Sequence, residues 1–283
     1  MAKYIMLNSE IIHSSEPCLL FNNRGFLFGD SFSFQMRGNS SKAFLSEKYF
    51  DYMISVMKLL GMERPLFLKR SIFETDLELL LQKNRIYKGF SAIVSVFRNG
   101  NNFSRIAAEN SISILMSVET LPEEYYSLNE KGLKIGIYKK NKIDPYIFQN
   151  NFIPGFNFDI LLKNYLIDND LDEALLIDKD NIIVKAIDSN VLFVKNGHLV
   201  VPINIINNYQ KVFTQFILET ALKLRINVIS AEIREADLVS LDEIFLVNPV
   251  FGIKWVVAYK EKRYYNKISL NLLKSINKNF IQS

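Results

Sequence analysis

Cysteine occurs once in the 283 residues, at Cys18, and histidine twice, at His13 and His198. One thiol excludes an internal disulfide and a cysteine-ligated metal cluster. Two histidines far apart, without ligand spacing, give no zinc site. Cys18 stands in the apolar "PCLLF" and reads as a small packing residue. No apolar run reaches the roughly 18 residues a membrane-spanning helix needs, and "MAKYIMLNSEIIHSS" lacks the apolar segment of a secretory leader. A cytoplasmic protein is expected. Concentrated charge is missing too: 34 basic against 30 acidic residues leave +4, and Lys139-Lys140 and Lys260-Glu261-Lys262-Arg263 are short or broken by an acid. Nucleic-acid binding needs a concentrated basic face, so neither nucleic acid nor membrane is an expected partner. Nucleophile elbow, Walker loop, dinucleotide fingerprint and HExxH helix are all absent.

What is present is apolar material: 49% hydrophobic residues beside 23% charged, the balance of a globular chain with a large core. "KYIMLNSEII" and "PCLLFN" read as strands around a turn, and "SFSFQMR" alternates with period two. From Ser46, the apolar positions Tyr49, Phe50, Met53, Val56, Met57 and Leu60 recur at helical spacing, with Gly61 as a stop. "DLELLLQKN" is a second helix, and "FSAIVSVFRNG" and "SISILMSVE" are rich in strand-forming residues. The polar, proline-containing "TLPEEYYSLNEKG" interrupts this pattern. It predicts a linker over 121–132 between lobes 1–120 and 133–283. Beyond it come a strand "LKIGIYK", a helix over 158–169, strands "EALLID", "IIVKAI" and "VLFVKNGHLVVP" with an Asn-Gly turn, a helix over 211–224, the buried "DEIFLVNPVFGIKWVVAY" and a helical tail. The class is α+β, in two α/β lobes.

In mid-chain, after the strand "LKIGIYK", lies "FQNNFIPGFNFDILLKNYL", a loop turning through Pro154-Gly155 into a helix, a common place for chemistry. Its first eleven residues, up to Phe158, hold no Lys, His, Cys, Ser or Arg.

Four stretches taken together, "NNRGFLFGDSFSFQMR", "LLGM", "DEALLIDKDNIIVKAIDSNVLFVKNGHLVVP" and "LDEIFLVNPVFGI", resemble the class IV aminotransferases in order and spacing from about Asn22 to Val257. That family includes branched-chain and D-amino-acid aminotransferases and aminodeoxychorismate lyase. The resemblance implies fold type IV, a homodimer, and pyridoxal phosphate (PLP) in a cleft between the lobes. Carried over residue by residue, it places the Schiff-base lysine at Phe152, or at Asn151 with a one-residue gap. Neither side chain forms an imine. The phosphate-gripping arginine falls on Tyr52, and the glutamate beside the pyridinium nitrogen on Lys185. The phosphate turn falls on Lys211-Val212-Phe213, and a later phosphate-binding threonine on Pro249, which has no N–H. Each lost charge-assisted hydrogen bond is worth about 1.5–3 kcal/mol. A cation roughly 4 Å from the ring nitrogen opposes its protonation by about 4 kcal/mol at an effective dielectric near 20. No bound cofactor is expected.

Arg24, Gly29, Asp30, Arg37, Asn190, Gly197 and Gly252 match family positions. The glycines are expected to serve turns or close packing, and Arg24 and Asp30 to form an ion pair. Arg37 and Arg98 lie on strands that would approach the cleft and are candidates to hold an anion. Three readings follow. The first is a non-catalytic homodimeric relative. The second is an enzyme that kept the cleft without PLP, or moved its lysine to Lys254, Lys185 or Lys211. The third is an active aminotransferase or lyase using Lys140 or Lys142. For the first, Arg37, Lys185, Lys211 and Lys254 are expected to converge on a shrunken cavity holding a small anion. The competing picture has Tyr52, Phe152 and Phe213 filling that cavity, with the lysines turned to solvent.

Overall fold

The computed structural model describes residues 2–100, 106–143, 156–203 and 208–282, without the side chains of 156–159. The chain forms two compact units, the second beginning at Tyr126.

The first unit is built on a six-stranded sheet. Strands β1 (Tyr4–Leu7) and β2 (Glu10–His13) make a hairpin through Asn8 and Ser9, both at positive φ. A short helix α1 (Arg24–Phe28) precedes β3 (Ser31–Asn39) and β4 (Lys42–Ala43). Helices α2 (Ser46–Leu59) and α3 (Arg70–Lys83) lead to β5 (Phe90–Arg98) and β6 (Ile112–Thr120). The sheet order is β2-β1-β6-β5-β3-β4. The period-two pattern of "SFSFQMR" buries Phe32, Phe34 and Met36, and the helical spacing in α2 buries Tyr49, Phe50, Met53, Val56 and Met57. One expectation fails. "PCLLFN" pairs with no strand among the described residues, and Leu20 and Phe21 stand 74% and 80% exposed. The hairpin closes inside "LNSE" instead, where two consecutive left-handed residues reverse the chain without it.

The second unit carries β7 (Leu133–Tyr138), α4 (Phe156–Asp168), β8 (Glu173–Ile177), β9 (Ile183–Ala186), β10 (Asn190–Lys195) and β11 (His198–Pro202). Next come α5 (Tyr209–Lys223), β12 (Val228–Ala231), a 3-10 helix (Glu235–Ser240), β13 (Glu243–Asn248), β14 (Gly252–Tyr259), β15 (Lys262–Arg263) and α6 (Lys267–Gln282). The sheet runs β12-β11-β10-β13-β14-β7-β8-β9, with β15 on β14. β10 and β11 turn through Asn196 and Gly197, both at positive φ, as the Asn-Gly pair predicts.

One face of this sheet forms a single apolar cluster, with Ile137 of β7, Ile177 of β8, Ile183 of β9, Phe193 of β10, Val200 of β11 and Leu246 of β13. Strands from β9 at one end to β11 near the other share it, so the sheet curls around it. On the opposite face Tyr138, Ala174, Leu176 and Val184 pack with Leu162 of α4. Among the described residues no helix is long and apolar enough to cross a membrane, and no group of His, Cys, Asp and Glu could hold a metal ion.

Candidate functional site

Each unit places its own share of the candidate residues. In the first, Arg24 is 1% exposed and its Nε donates to Asp30 Oδ2 at 2.9 Å, the ion pair the sequence led us to expect. Arg98 joins the same carboxylate at 3.2 Å. It also donates to the carbonyls of Leu60 (2.6 Å) and Gly61 (3.3 Å) and to Asn110 Oδ1 (2.6 Å). Its guanidinium ties the end of β5 to the turn after α2. Arg37, 6% exposed, donates from Nη2 to the carbonyls of Glu123 and Tyr125 at 2.6 and 2.7 Å. The two arginines put forward as anion holders thus engage the chain's own carbonyls and Asp30. Tyr52, on α2, packs edge-on against Phe34 with ring centroids 5.9 Å apart.

In the second unit, Lys185 sits on β9 directly across from Leu176. Directly paired residues share a face, so Lys185 lies on the side covered by α4. Lys254 on β14 is opposite Leu246, which belongs to the inner cluster, and its ammonium rests 4.4 Å from the centroid of Phe251. The two lysines occupy opposite faces of the sheet. Their expected convergence on one cavity therefore does not occur, because the pleat that hides Leu246 also directs Lys254 inward. Lys211 lies, half-buried, in the first turn of α5. Lys142 donates to Asn181 Oδ1 at 2.9 Å and to the Lys179 carbonyl at 3.2 Å, against the β8–β9 turn. Asn151 and Phe152 lie outside the described residues. By sequence no lysine stands between Lys142 and Lys163, and Lys163 is exposed on α4.

Lys185 is also less isolated than the sequence implied. The pKa of Glu173, two residues into "LDEALLID", is raised, by burial first; the amides of Ala174 and Ile187, which donate to Oε1, oppose the rise, Asp188 reinforces it, and Lys185 nearby opposes it least.

The start of α5 and the β13–β14 turn meet at a buried polar cluster. Gln210 Nε2 and Asn248 Nδ2 both donate to the Asp188 carbonyl at 2.8 Å. Asn208 caps the helix: its Oδ1 accepts from the Gln210 N–H at 3.1 Å, and its carbonyl from the Lys211 N–H at 2.9 Å. At the turn, Asn248 Oδ1 accepts from the Val250 N–H at 2.8 Å, while the Pro249 carbonyl accepts from the Tyr126 hydroxyl at 2.7 Å. The Tyr126 ring packs 5.2 Å from Phe213 and closes on Gly252. Burial, assisted by the Asp188 charge, raises the Tyr209 hydroxyl above its ordinary value. Thr214 gives its only proton to the Gln210 carbonyl, so it accepts from Asn190 Nδ2 (2.9 Å) and fixes that amide's orientation. Among the described residues, Asn190 Oδ1 and Ser189 Oγ, in residues 0% exposed, have no hydrogen-bond partner.

Residues 35–259 match the sequence profile of the family described as "Amino-transferase class IV". The chain belongs to the class IV aminotransferases. Its fold is PLP fold type IV. The branched-chain aminotransferase from Thermoproteus uzoniensis, solved with norvaline, superposes with a TM-score of 0.87 at 12% identity, over 100% of this chain and 96% of that one. The Escherichia coli branched-chain aminotransferase gives 0.86 at 15% identity, over 99% and 95%. The branched-chain aminotransferase from Thermobaculum terrenum, solved in its PLP form, gives 0.84 at 14%, over 100% and 95%. No curated protein matches the chain by sequence. At these identities the likeness establishes the class IV architecture alone.

Among the described residues, the start of α5 and the β13–β14 turn offer few free N–H groups to an anion. A phosphate held at a helix start needs N–H groups free to donate. Here Gln210 and Lys211 already donate to Asn208, and Val250 to Asn248, while Pro249 has no N–H. α5 begins at Tyr209, two residues before the predicted start, which places Phe213 inside the helical ladder. The orphaned Asn190 Oδ1 is an acceptor and repels an anion. Sequence reasoning missed this closure, although Asn-Asn ahead of an apolar helix is a capping signal and Asn-Pro a turn signal. Tyr126 offered no signal.

Proposed function

We propose that this chain is a non-catalytic class IV homologue that forms no Schiff base with PLP. The observation that carries the reading is the self-satisfied polar cluster at Asn208, Gln210 and Asn248, which leaves few donors for a phosphate. The identities at the lysine, arginine and glutamate positions (Asn151 or Phe152, Tyr52, Lys185) point the same way. The test is to incubate the protein with PLP, reduce with borohydride and map the products by mass spectrometry. No absorbance in the violet-blue range and no pyridoxyl adduct beyond that of an unrelated lysine-rich protein are expected. A stoichiometric adduct on Lys140, Lys142, Lys185, Lys211 or Lys254 would overturn the reading in favour of an active aminotransferase or lyase with a relocated amine.

The chain is further proposed to act as a homodimer. Leu19, Leu20, Phe21, Phe26 and Leu27, close together in sequence, are 44%, 74%, 80%, 78% and 40% exposed, an apolar display that a monomer seldom leaves open. Sedimentation at micromolar concentration is expected to give a dimer, and Phe21→Asp with Phe26→Asp to shift it toward monomer. A wild-type monomer would refute this.

A further inference from the structure

The curled sheet of the second unit has an open end where β7 and β8, a parallel pair, finish. The carboxyl ends of parallel strands and the mouths of curled sheets are favoured ligand positions. A cavity of about 440 Å³ opens there, lined by Ile137, Lys139, Ile177, Asn181, Arg234 and Glu235 among others. Ile137 and Ile177 are its apolar floor, being the last inward residues of the two strands. This is the opposite face of β7–β8 from Lys185 and α4, so the site does not rest on the function proposed above.

The wall above that floor is almost all donor. Glu235 supplies its carboxylate, but both oxygens are occupied: Oε2 by the Lys139 ammonium, Oε1 by the Tyr259 hydroxyl (2.6 Å) and Lys260 Nζ (2.9 Å). A lysine ammonium carries three protons, so Lys139 keeps donors to spare after Glu235. Asn181 Oδ1 accepts from Lys142 at 2.9 Å, which turns its Nδ2 donors away from that lysine. Arg234 contacts Glu232 through Nη2 at 2.8 Å while its side chain stays 50% exposed, leaving the rest of the fork available. Among the residues that line the cavity, the cations Lys139 and Arg234 stand against the single carboxylate of Glu235, so the lining carries a small excess of positive charge. A ligand complementary to it has an anionic acceptor head and an apolar body.

We propose that this cavity binds small amphipathic carboxylates, the carboxylate held by Lys139, Arg234 and Asn181 and the hydrocarbon body lying on Ile137 and Ile177. The probe is hexanoate, titrated calorimetrically into the full chain at low ionic strength, with acetate and hexylammonium as controls. Saturable binding of hexanoate is expected, with acetate at least about tenfold weaker for want of a body and no binding of hexylammonium. Lys139→Met and Arg234→Met, which keep the apolar stems, are each expected to weaken hexanoate about tenfold or more. Lys195→Met, at an exposed lysine on β10, is expected to retain wild-type affinity. Should Lys139→Met fail to fold, Asn181→Asp replaces a donor with a repelling carboxylate at an exposed turn and is expected to lose binding. The proposal is overturned if hexanoate does not saturate, if hexylammonium binds equally well, or if the folded wall variants bind like wild type.

Discussion

Glu243 of β13 closes the first turn of α6 on Ser269. Its Oε2 accepts from both the N–H and the hydroxyl of Ser269 at 3.0 Å, and its Oε1 from the Ile268 N–H at 2.7 Å. The pair is buried, at 3% and 0% exposure. A helix start leaves orphan N–H groups, and a carboxylate there satisfies them while complementing the helix dipole. Glu243→Ala strands these donors in the interior and is expected to destabilise the chain by about 2–4 kcal/mol. Glu243→Gln keeps one acceptor and is expected to cost less. Urea denaturation checks both, and an Ala variant within about 0.5 kcal/mol of wild type would show that water replaces the cap.

Asp30 is the shared anion of two buried guanidiniums, Arg24 and Arg98. Removing one member of a buried ion pair leaves an uncompensated charge, a loss of about 3–5 kcal/mol. Asp30→Ala is expected to fall in that range. Asp30→Asn, isosteric but neutral, should fall slightly short of it. The measurement is again equilibrium unfolding. A change below about 1 kcal/mol for Asp30→Ala would mean that the carbonyls of Leu60 and Gly61 suffice for Arg98.

How far the sequence reaches depends on the range of the force involved. Strand alternation in "SFSFQMR", helical spacing from Tyr49 to Met57 and the Asn-Gly turn are local, and each element lies where its pattern puts it. "PCLLFN" misled because an apolar run says nothing about whether a partner strand exists. At the candidate site the sequence offered only residue identities, Tyr52, Lys185 and Pro249 among them, at positions the family resemblance picks out. The polar contacts around those positions were not legible. Tyr126 meets Pro249 across 123 residues, and Asp188 gathers Gln210 and Asn248 through its carbonyl, a group every residue has. The opposite facing of Lys185 and Lys254 follows from strand register, which neither segment encodes alone.

Glu235 gives a pH signature. Hydrogen bonds from Lys139, Tyr259 and Lys260 lower its pKa to about 2 from an ordinary 4.5. A carboxyl whose pKa is lower folded than unfolded stabilises the fold fully above the unfolded value and loses that contribution as pH falls through the folded one. The gap in Tm between wild type and Glu235→Gln is therefore expected to be constant above about pH 5 and to close between there and about pH 2. On the alkaline side, the Tyr259 hydroxyl is raised to about 12, by burial first and then by Glu235. In Glu235→Gln, one tyrosine should ionise at lower pH by ultraviolet titration. A gap in Tm that stays constant down to pH 2, with no displaced tyrosine, would show that the cluster does not persist in solution.

Gly252 and Gly197 separate two reasons for a glycine. Both have positive φ, +79° and +78°, where a side chain is strained whatever the space around it. Around Gly197, at the tip of the β10–β11 hairpin, an added Cβ meets nothing within 4 Å. At Gly252, at the end of the β13–β14 turn, it would lie 2.5 Å from the Tyr126 ring, whose hydroxyl is anchored on the Pro249 carbonyl. The ring cannot retreat without giving up that bond and its contact with Phe213. Gly197→Ala should therefore cost only the backbone strain, about 1 kcal/mol, and Gly252→Ala that strain plus the clash, about 3 kcal/mol or more. Replacing Tyr126 with Ala in the Gly252→Ala background removes the obstruction. A double-mutant cycle is then expected to show favourable coupling of at least about 1 kcal/mol. Equal costs at the two glycines, with no coupling to Tyr126, would show that the ring does not close on this turn.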